Sequence, residues 1–164
     1  MGPDLLAELV NRHAAALVLY ARQWCFSPED VVQTAFLKLA SCRTPPENLV
    51  PWLYRVVRNA AIDASRAARR RQKYEAAAAA HTPNWFEPSD DPTGLDAHTA
   101  ADALADLPIE AREIIVAHLW GGLTFEQIAE TVGSSAATCY RRYAAGLALI
   151  REKLRVPCPT DRRT

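Results

Sequence analysis

Apolar residues recur three and four positions apart along almost the whole chain, which is the period of an amphipathic helix. The alternating pattern of a half-buried strand is missing from the sequence, as are Asn-Gly and Asp-Gly hairpin turns. Because 49% of the residues are hydrophobic, these stripes can bury a core. The sequence therefore predicts an all-α fold.

The N-terminal stripes predict three helices. The first covers about residues 4–24. The second begins at Pro28, with Ser27 as its candidate cap, and ends before the proline pair at 45–46. The third starts near Pro51, carries a tryptophan-anchored apolar stripe and runs into an arginine cluster.

The C-terminal stripes predict a short helix over 102–107 and a longer one from Pro108 to Trp120. After them, residues 124–146 read as a helix, a turn built on Gly133 and a second helix that begins with small polar residues. Thr124 and Gln127 stand at the spacing of a capping box, and Ser134 or Ser135 is placed to cap the second helix. This is the helix-turn-helix pattern, whose second helix contacts the DNA major groove.

A second candidate surface for nucleic acid lies on the third predicted helix. Between residues 55 and 71 it carries six arginines against one acid. Helical spacing places four polar side chains on one face and a fifth beside them; they are Arg55, Asn59, Asp63, Arg66 and the neighbouring Arg58. Asparagine and arginine can recognise exposed bases, and arginine also binds phosphates.

A change of composition divides the chain. Residues 81–101 contain three prolines, a glycine and several aspartates, which is typical of a solvated linker. We therefore expect two small helical domains joined by a linker, the C-terminal one a helix-turn-helix. The predicted division is a first domain over 1–75, an acidic Pro/Ala-rich linker over 76–101, a second domain over 102–156 and a tail over 157–164.

The formal net charge of zero conceals an uneven distribution. Residues 1–71 carry ten Lys/Arg against six Asp/Glu, a net of +4, and residues 109–164 carry eight against six, a net of +2. Residues 72–108 carry one against seven, a net of −6. The two basic blocks favour a nucleic-acid partner. They also suggest the hypothesis that the acidic segment covers a basic face in the free protein.

Several classes of protein fit the sequence poorly. It has no phosphate loop, nucleophile elbow or His-Glu-x-x-His motif, so we expect no enzymatic activity. The four cysteines lack metal-ligand spacing and are expected to be reduced thiols, with no metal and no cofactor. No apolar run is long enough for a membrane span and no secretory signal is evident, so a cytoplasmic location without membrane contact is expected.

Two stretches, taken together, resemble a known family. The first extends from Pro28 to Leu39 and continues from Trp52 to Arg66; the second runs from Leu104 to Arg112 and from Gly122 to Gly133. They are similar to the second and fourth conserved regions of the sigma-70 superfamily, in its short extracytoplasmic-function (ECF) group. The resemblance implies a transcription initiation factor that binds core RNA polymerase and directs it to specific promoters.

The resemblance also implies roles for individual residues. The helix matching 28–39 would bind the polymerase, through Asp30, Gln33, Phe36 and Leu37, although Phe36 also fits the core stripe. The helix matching 55–66 would melt and read the minus-ten promoter element, through Arg55, Arg58, Asn59, Asp63 and Arg66. The helix matching 135–146 would read the minus-thirty-five element, through Ser135, Thr138, Tyr140, Arg141 and Arg142.

The last helix departs from the family pattern, because alanines and leucines replace much of its usual basic run. Fewer cations predict weaker and less salt-sensitive DNA binding. An anti-sigma factor, or another part of this chain, is a further candidate partner for this apolar surface. Two alternatives stay open: a helix-turn-helix regulator that binds DNA alone, which leaves residues 28–71 without a role, and an anti-sigma-like protein-interaction module, which leaves the arginine face unexplained.

Overall fold

The computed structural model describes residues 3–74 and 102–154 of the chain. Within these two ranges all regular structure is helical, which confirms the all-α prediction. None of these helices is long and apolar enough to cross a membrane. The helices are α1 (Pro3–Ala21), α2 (Pro28–Ser41), α3 (Leu49–Tyr74), α4 (102–105), α5 (Ile109–Leu119), α6 (Phe125–Val132) and α7 (Ala136–Leu154).

Two helix ends in the N-terminal part differ from the sequence-based expectation. Helix α1 ends at Ala21 instead of Trp24, because the chain turns there, with the Trp24 amide donating to the Ala21 carbonyl at 3.0 Å. Ser27 does stand before α2, but its side chain makes no capping hydrogen bond. Its carbonyl instead accepts from the Val31 amide at 3.4 Å.

Helix α3 begins two residues before the predicted start at Pro51. The Trp52 amide donates to the Asn48 carbonyl at 3.1 Å, so Pro51 lies within the first turn. A proline is tolerated there, because the first amides of a helix have no intrahelical acceptor. The alanine run after α3, which could have extended it, lies outside the described residues.

Two glycines end α5 and α6 with left-handed backbone. Gly122 has φ +67°, and its amide donates to the His118 carbonyl at 3.1 Å while the Leu123 amide donates to Ala117 at 3.2 Å. The bond from the Gly122 amide reaches back four residues, as in the αL C-cap motif with glycine as the left-handed residue. Gly133 has φ +70° at the end of α6. Both angles favour glycine, because a Cβ is strained at positive φ.

One apolar core runs through the described residues. Helices α1, α2 and α3 pack on one another, and so do α5, α6 and α7. The two groups are also in contact, α1 with α5 and α3 with α6. We call residues 3–74 the N-terminal half and 102–154 the C-terminal half. Fully buried side chains from both halves contribute, among them Leu17, Tyr20, Leu39, Leu53, Tyr54, Ile114, Ile115, Leu123 and Ile128.

The cysteines within the described residues are free thiols. Cys25 and Cys139 are buried and Cys42 is partly buried, while Cys158 lies outside the described residues. Burial raises the pKa of the Cys25 and Cys139 thiols. These two side chains therefore act as small apolar core residues at neutral pH.

Candidate nucleic-acid interface

The helix-turn-helix consists of α6, a three-residue turn and α7. The predicted capping box is confirmed, because the Thr124 hydroxyl accepts from the Gln127 amide at 3.3 Å and the Gln127 side chain accepts from the Thr124 amide at 3.0 Å. Ile128 and Ala129 are buried, and α6 packs against α7. Of the two candidate serines, Ser135 caps α7, since its hydroxyl accepts from the Thr138 amide at 3.2 Å.

An aromatic cluster packs between α5 and the two helices of this unit. The His118 ring stacks on Phe125, with 4.5 Å between ring centroids, and Tyr143 meets both rings edge to face. The Nδ1 atom of His118 lies 2.7 Å from the Leu123 carbonyl oxygen, which fixes the imidazole at the end of α5. The cluster joins α5, α6 and α7, and it gives the second helix of the motif a rigid support.

The first two turns of α7 present polar groups to solvent. Ser135, Tyr140, Arg141 and Arg142 are exposed and Thr138 is partly exposed. Three of them form a hydrogen-bonded chain: the Ser135 hydroxyl donates to Thr138 Oγ1 at 2.9 Å, and an Arg141 Nη donates to the same oxygen at 3.1 Å. Thr138 Oγ1 thus lies between the Ser135 hydroxyl and the Arg141 guanidinium at the start of α7.

Tyr140 extends this surface, because 57% of it is exposed while its ring meets Phe125 edge to face at 5.5 Å. The contact ties an exposed aromatic ring to the cluster beneath α7. The N-terminal turns of α7 thus combine two guanidinium groups, a hydroxyl donor and an aromatic ring. Such groups contact phosphates and base edges in a DNA groove.

Helix α3 carries the second candidate surface. Arg55, Asn59, Asp63 and Arg66 are all exposed, as their spacing along one helix face predicted. An Arg66 Nη lies 3.7 Å from Asp63 Oδ1, and both side chains are about 70% exposed. An exposed pair at this distance contributes little to stability. The face is therefore free to contact a ligand.

Arg58 lies apart from this face and points toward the C-terminal half. Its Nε donates to Glu113 Oε2 at 2.8 Å and an Nη donates to Oε1 at 3.4 Å. The side chain of Arg58 is 23% exposed and that of Glu113 only 5%. The Arg58 guanidinium also lies over the Trp24 ring, 5.8 Å from its centroid. This residue is thus engaged within the molecule, unlike its neighbours on α3.

The ion pair lies among buried aromatic residues. The Tyr20 ring centroid is 4.9 Å from that of Tyr54 and 5.1 Å from that of Trp24. Burial raises the pKa of the Tyr20 phenol well above its usual range, and the nearby Glu113 charge adds to this. Burial lowers the pKa of Arg58, but the Glu113 hydrogen bond and charge more than compensate, so the net shift is upward.

Gly121 fits closely against this cluster. A Cβ placed on it would lie 2.5 Å from the Tyr54 hydroxyl and 2.4 Å from the Ala117 carbonyl oxygen. Real carbon atoms do not approach so closely, so the contact between the C-terminal end of α5 and Tyr54 on α3 requires glycine. The two halves therefore meet through close packing as well as through the Arg58–Glu113 pair.

The candidate polymerase-binding residues lie on α2. Asp30, Gln33 and Leu37 are exposed, Leu37 to 61%, whereas Phe36 is 92% buried in the core. Gln33 and Leu37 border an open apolar groove of about 330 Å³ between α1 and α2. Its apolar walls are Leu6, Val10, Ala14, Val18, Val32, Phe36 and Ala40. Helix α2 thus divides its residues between a core face and an exposed face.

The hypothesis of a covering acidic segment is mostly untested, since residues 75–101 lie outside the described residues. Within 102–108, Asp106 pairs with Lys153 on α7, in its own half. A basic side chain of α3 does pair with an acid of the C-terminal half, but that acid is Glu113, which the charge pattern did not single out. The available signal was a lone acid in the apolar run of α5, where burial demands a partner.

Comparison with known proteins finds two matching family models, one on each half of the chain. The family model described as Sigma-70 region 2 matches residues 9–71, and that described as Sigma-70, region 4 matches residues 98–150. The chain is similar to RNA polymerase sigma factor CarQ of Myxococcus xanthus, with 31% identity over 154 residues that cover 92% of this chain and 87% of the relative.

A second relative is ECF RNA polymerase sigma factor SigL of Mycobacterium tuberculosis, with 32% identity over 148 residues that cover 84% of this chain and 82% of the relative. Among solved structures, the fold is similar to the sigma factor RpoE from Bartonella quintana, crystallised in complex with the anti-sigma factor NepR. The TM-score is 0.71 at 22% identity, and the match covers 96% of this chain and all of that one.

Proposed function

The chain belongs to the ECF group of sigma-70 factors, and on that premise we propose how its described surfaces divide the work of transcription initiation. It is a transcription initiation factor whose partners are core RNA polymerase and promoter DNA. The observation that carries this conclusion is the pair of region matches, in order on one chain. Neither a stand-alone regulator nor an interaction module accounts for both.

We assign polymerase binding to the exposed face of α2, through Asp30, Gln33 and Leu37. Phe36 supports that face from the core, because it is buried beneath it. The division into domains over 1–75 and 102–156, with a linker over 76–101 and a tail over 157–164, is part of the same proposal. Each domain then brings one nucleic-acid surface to the polymerase.

We assign the minus-ten element to α3 and the minus-thirty-five element to the first turns of α7. On α3, exposed Arg55, Asn59 and Arg66 supply phosphate and base contacts beside Asp63, and Arg58 joins them where it is free of Glu113. The residues assigned on α7 are Ser135, Thr138, Tyr140, Arg141 and Arg142. Arginine contacts with guanine and hydroxyl contacts with phosphate suit these side chains.

We further propose that the chain catalyses no reaction itself. Strand separation requires that unstacked bases be held in pockets, at a cost of about a few kcal/mol per base, and binding energy supplies this. The site of action is then the cytoplasm, where polymerase and promoter DNA are found.

An anti-sigma factor is proposed as a further partner. The solved sigma factor of similar fold is bound to a protein of that class. Affinity capture from the cells that make this chain, followed by run-off transcription with the captured protein, tests the proposal. Inhibition supports an anti-sigma partner, and captured proteins that leave transcription unchanged count against it.

Run-off transcription from a genomic promoter library tests the main proposal. Purified core polymerase is assayed with and without the chain, and with Arg55→Ala and Arg141→Ala variants. We expect specific start sites only when the chain is present and weaker transcripts with either variant. DNA binding without any stimulation of the polymerase would instead indicate a stand-alone regulator.

A further inference from the structure

The Arg58–Glu113 pair joins helices from the two halves. Its guanidinium is one of the groups proposed to contact the minus-ten element. We infer that this pair is a latch, which holds the free factor in a docked form and withholds Arg58 from promoter DNA. The inference rests on the proposed role of Arg58 at the minus-ten element. It adds a regulatory contact within the chain to that function.

The geometry leaves the Arg58 guanidinium little freedom to bind anything else. Two of its nitrogens donate to the two oxygens of the Glu113 carboxylate, at 2.8 and 3.4 Å. The Trp24 ring lies against the group, 5.8 Å from Cζ. Only the remaining N–H groups of a side chain that is 23% exposed are left for a phosphate or a base edge, so the docked form keeps most of the Arg58 guanidinium from DNA.

The environment of Glu113 makes the contact a switch between two states. Its carboxylate is buried on a helix whose neighbouring side chains at 114–117 are apolar and buried, so it cannot stay there without a cationic partner. When the halves separate, both charges return to water together, and the desolvation penalty is recovered as their attraction is lost. Losing one partner while the halves stay docked would leave a buried charge unpaired, so the pair opens only when the halves separate as a unit.

The dimensions of a promoter show that the docked form cannot be the form that reads it. The two elements are centred about 25 base pairs apart, or about 85 Å at 3.4 Å per base pair. A compact body of roughly 125 residues is only about 35 Å across. The α3 and α7 surfaces must therefore separate before both elements are bound, and the latch must break.

The experiment measures the distance between the halves in the full chain without polymerase. Donor and acceptor fluorophores are attached through unnatural amino acids at the exposed positions Lys38 on α2 and Ala148 on α7, and single-molecule energy transfer reports docked and open molecules. Glu113→Gln removes the charge with little change in shape. Glu110→Gln, at an exposed position of the same helix α5, is the matched control.

We expect Glu113→Gln to raise the ratio of open to docked molecules by about tenfold, because it leaves Arg58 without its counter-charge. Arg58→Gln should raise this ratio as well, and the double variant should raise it no further than either single variant. The control Glu110→Gln should show the wild-type ratio. Circular dichroism establishes that each variant keeps its helices. If Glu113→Gln misfolds, Arg58→Gln alone decides the result. Unchanged energy transfer in a folded variant overturns the latch.

A second readout tests whether the latch withholds Arg58 from DNA. The probe is a fluorescein-labelled 20-nucleotide single strand of mixed sequence, added to the free chain at low salt. Glu113→Gln should bind it about threefold more tightly, and adding Arg58→Gln should abolish the gain. An open variant without this gain overturns the withholding of Arg58. Run-off transcription by the wild type does not depend on these readouts, so failure of the initiation role would be recognised separately.

Discussion

The polar side chains of α3 and α7 carry similar groups, but their partners differ. Arg141 donates to the Thr138 hydroxyl at the surface, and Arg66 lies near Asp63 in solvent. Arg58 has a buried carboxylate as its partner. Solvent screening makes the two exposed contacts weak and easily exchanged for DNA, whereas the buried one persists until the halves separate.

The capping box of α6 yields a prediction for stability. Thr124→Ala removes the acceptor for the Gln127 amide and should lower the free energy of unfolding by about 1 kcal/mol. Urea denaturation followed by circular dichroism measures the change. Thr44→Ala, in the exposed segment after α2, is the control and should have little effect. Equal losses in the two variants would contradict the role of the capping box.

Arg141 yields a prediction for promoter recognition. Arg141→Ala should weaken binding to the minus-thirty-five element by about 1 to 3 kcal/mol, as for the loss of one base contact. Transcription from a promoter that depends on this element should fall accordingly. Thr138→Val should have a smaller effect in the same direction, because it removes the acceptor that orients the guanidinium. The readout is run-off transcription at limiting holoenzyme. Arg151→Ala, in the last turn of α7, serves as control, and a loss as large as that of Arg141→Ala would refute the assignment.

Whole helices divide their residues between packing and recognition. On α2, the residues that face α1 and α3 are buried, while one exposed edge borders the apolar groove. On α7, the first turns carry the polar groups, and the later turns pack on α5 or expose alanine and leucine. The sparse positive charge of this later part should reduce the salt dependence of DNA binding, since fewer counterions are released.

The neighbouring residues Phe36 and Leu37 separate the two roles of α2. Leu37→Ala should change the free energy of unfolding by less than about 0.5 kcal/mol, because the side chain is mostly exposed. It should nevertheless weaken binding to core polymerase about tenfold, as a contact residue of an interface. Phe36→Ala should cost about 3 to 5 kcal/mol of stability, because it leaves a cavity.

Thermal denaturation and a fluorescence titration against core polymerase measure the two effects of these α2 variants. Lys38→Ala is the exposed control on the same helix. Wild-type affinity in a stable Leu37→Ala variant would remove this residue from the polymerase surface.

The whole molecule joins its two halves through a buried polar and aromatic contact. Tyr54 lies on α3 and Tyr20 on α1, with 4.9 Å between their ring centroids. The Tyr54 hydroxyl has no hydrogen-bond partner among the described residues, and Gly121 approaches it closely. The docked form therefore depends on shape at this contact as well as on the ion pair.

The two buried tyrosines predict that stability falls in alkali. Burial raises the pKa of Tyr20 and of Tyr54, so the folded chain keeps both phenols protonated when the unfolded chain begins to lose these protons near pH 10. The unfolded state then binds fewer protons, and the free energy of unfolding decreases as the pH rises above about 10. Below that pH the contribution is fully present.

Urea denaturation at several pH values between 8 and 11 measures this decrease. Tyr54→Phe keeps the packing without the ionisable group, and it should reduce the slope above pH 10. An identical pH dependence in the wild type and in Tyr54→Phe would contradict the prediction.

The sequence by itself determined the all-helical class, the order of the elements and the helix-turn-helix. These follow from local rules: apolar spacing, the capping residues Thr124 and Gln127, and the glycines that end α5 and α6. It also placed Arg55, Asn59, Asp63 and Arg66 on one exposed face, because helical geometry fixes which residues of α3 share a side. The ordered pair of motifs was sufficient to indicate the family.

Only the tertiary structure decided which of the candidate binding residues pair with other side chains of the same molecule. Arg58 and Glu113 are 55 positions apart, and their pairing depends on how two helix groups pack, which no local pattern encodes. Ser27 fits the pattern of a capping residue, but its backbone (φ −121°, ψ 63°) is not in the extended region usual for a cap, and its side chain makes no capping hydrogen bond. The docking of the halves follows from long-range packing of aromatic and apolar side chains, so it is a property of the folded molecule as a whole.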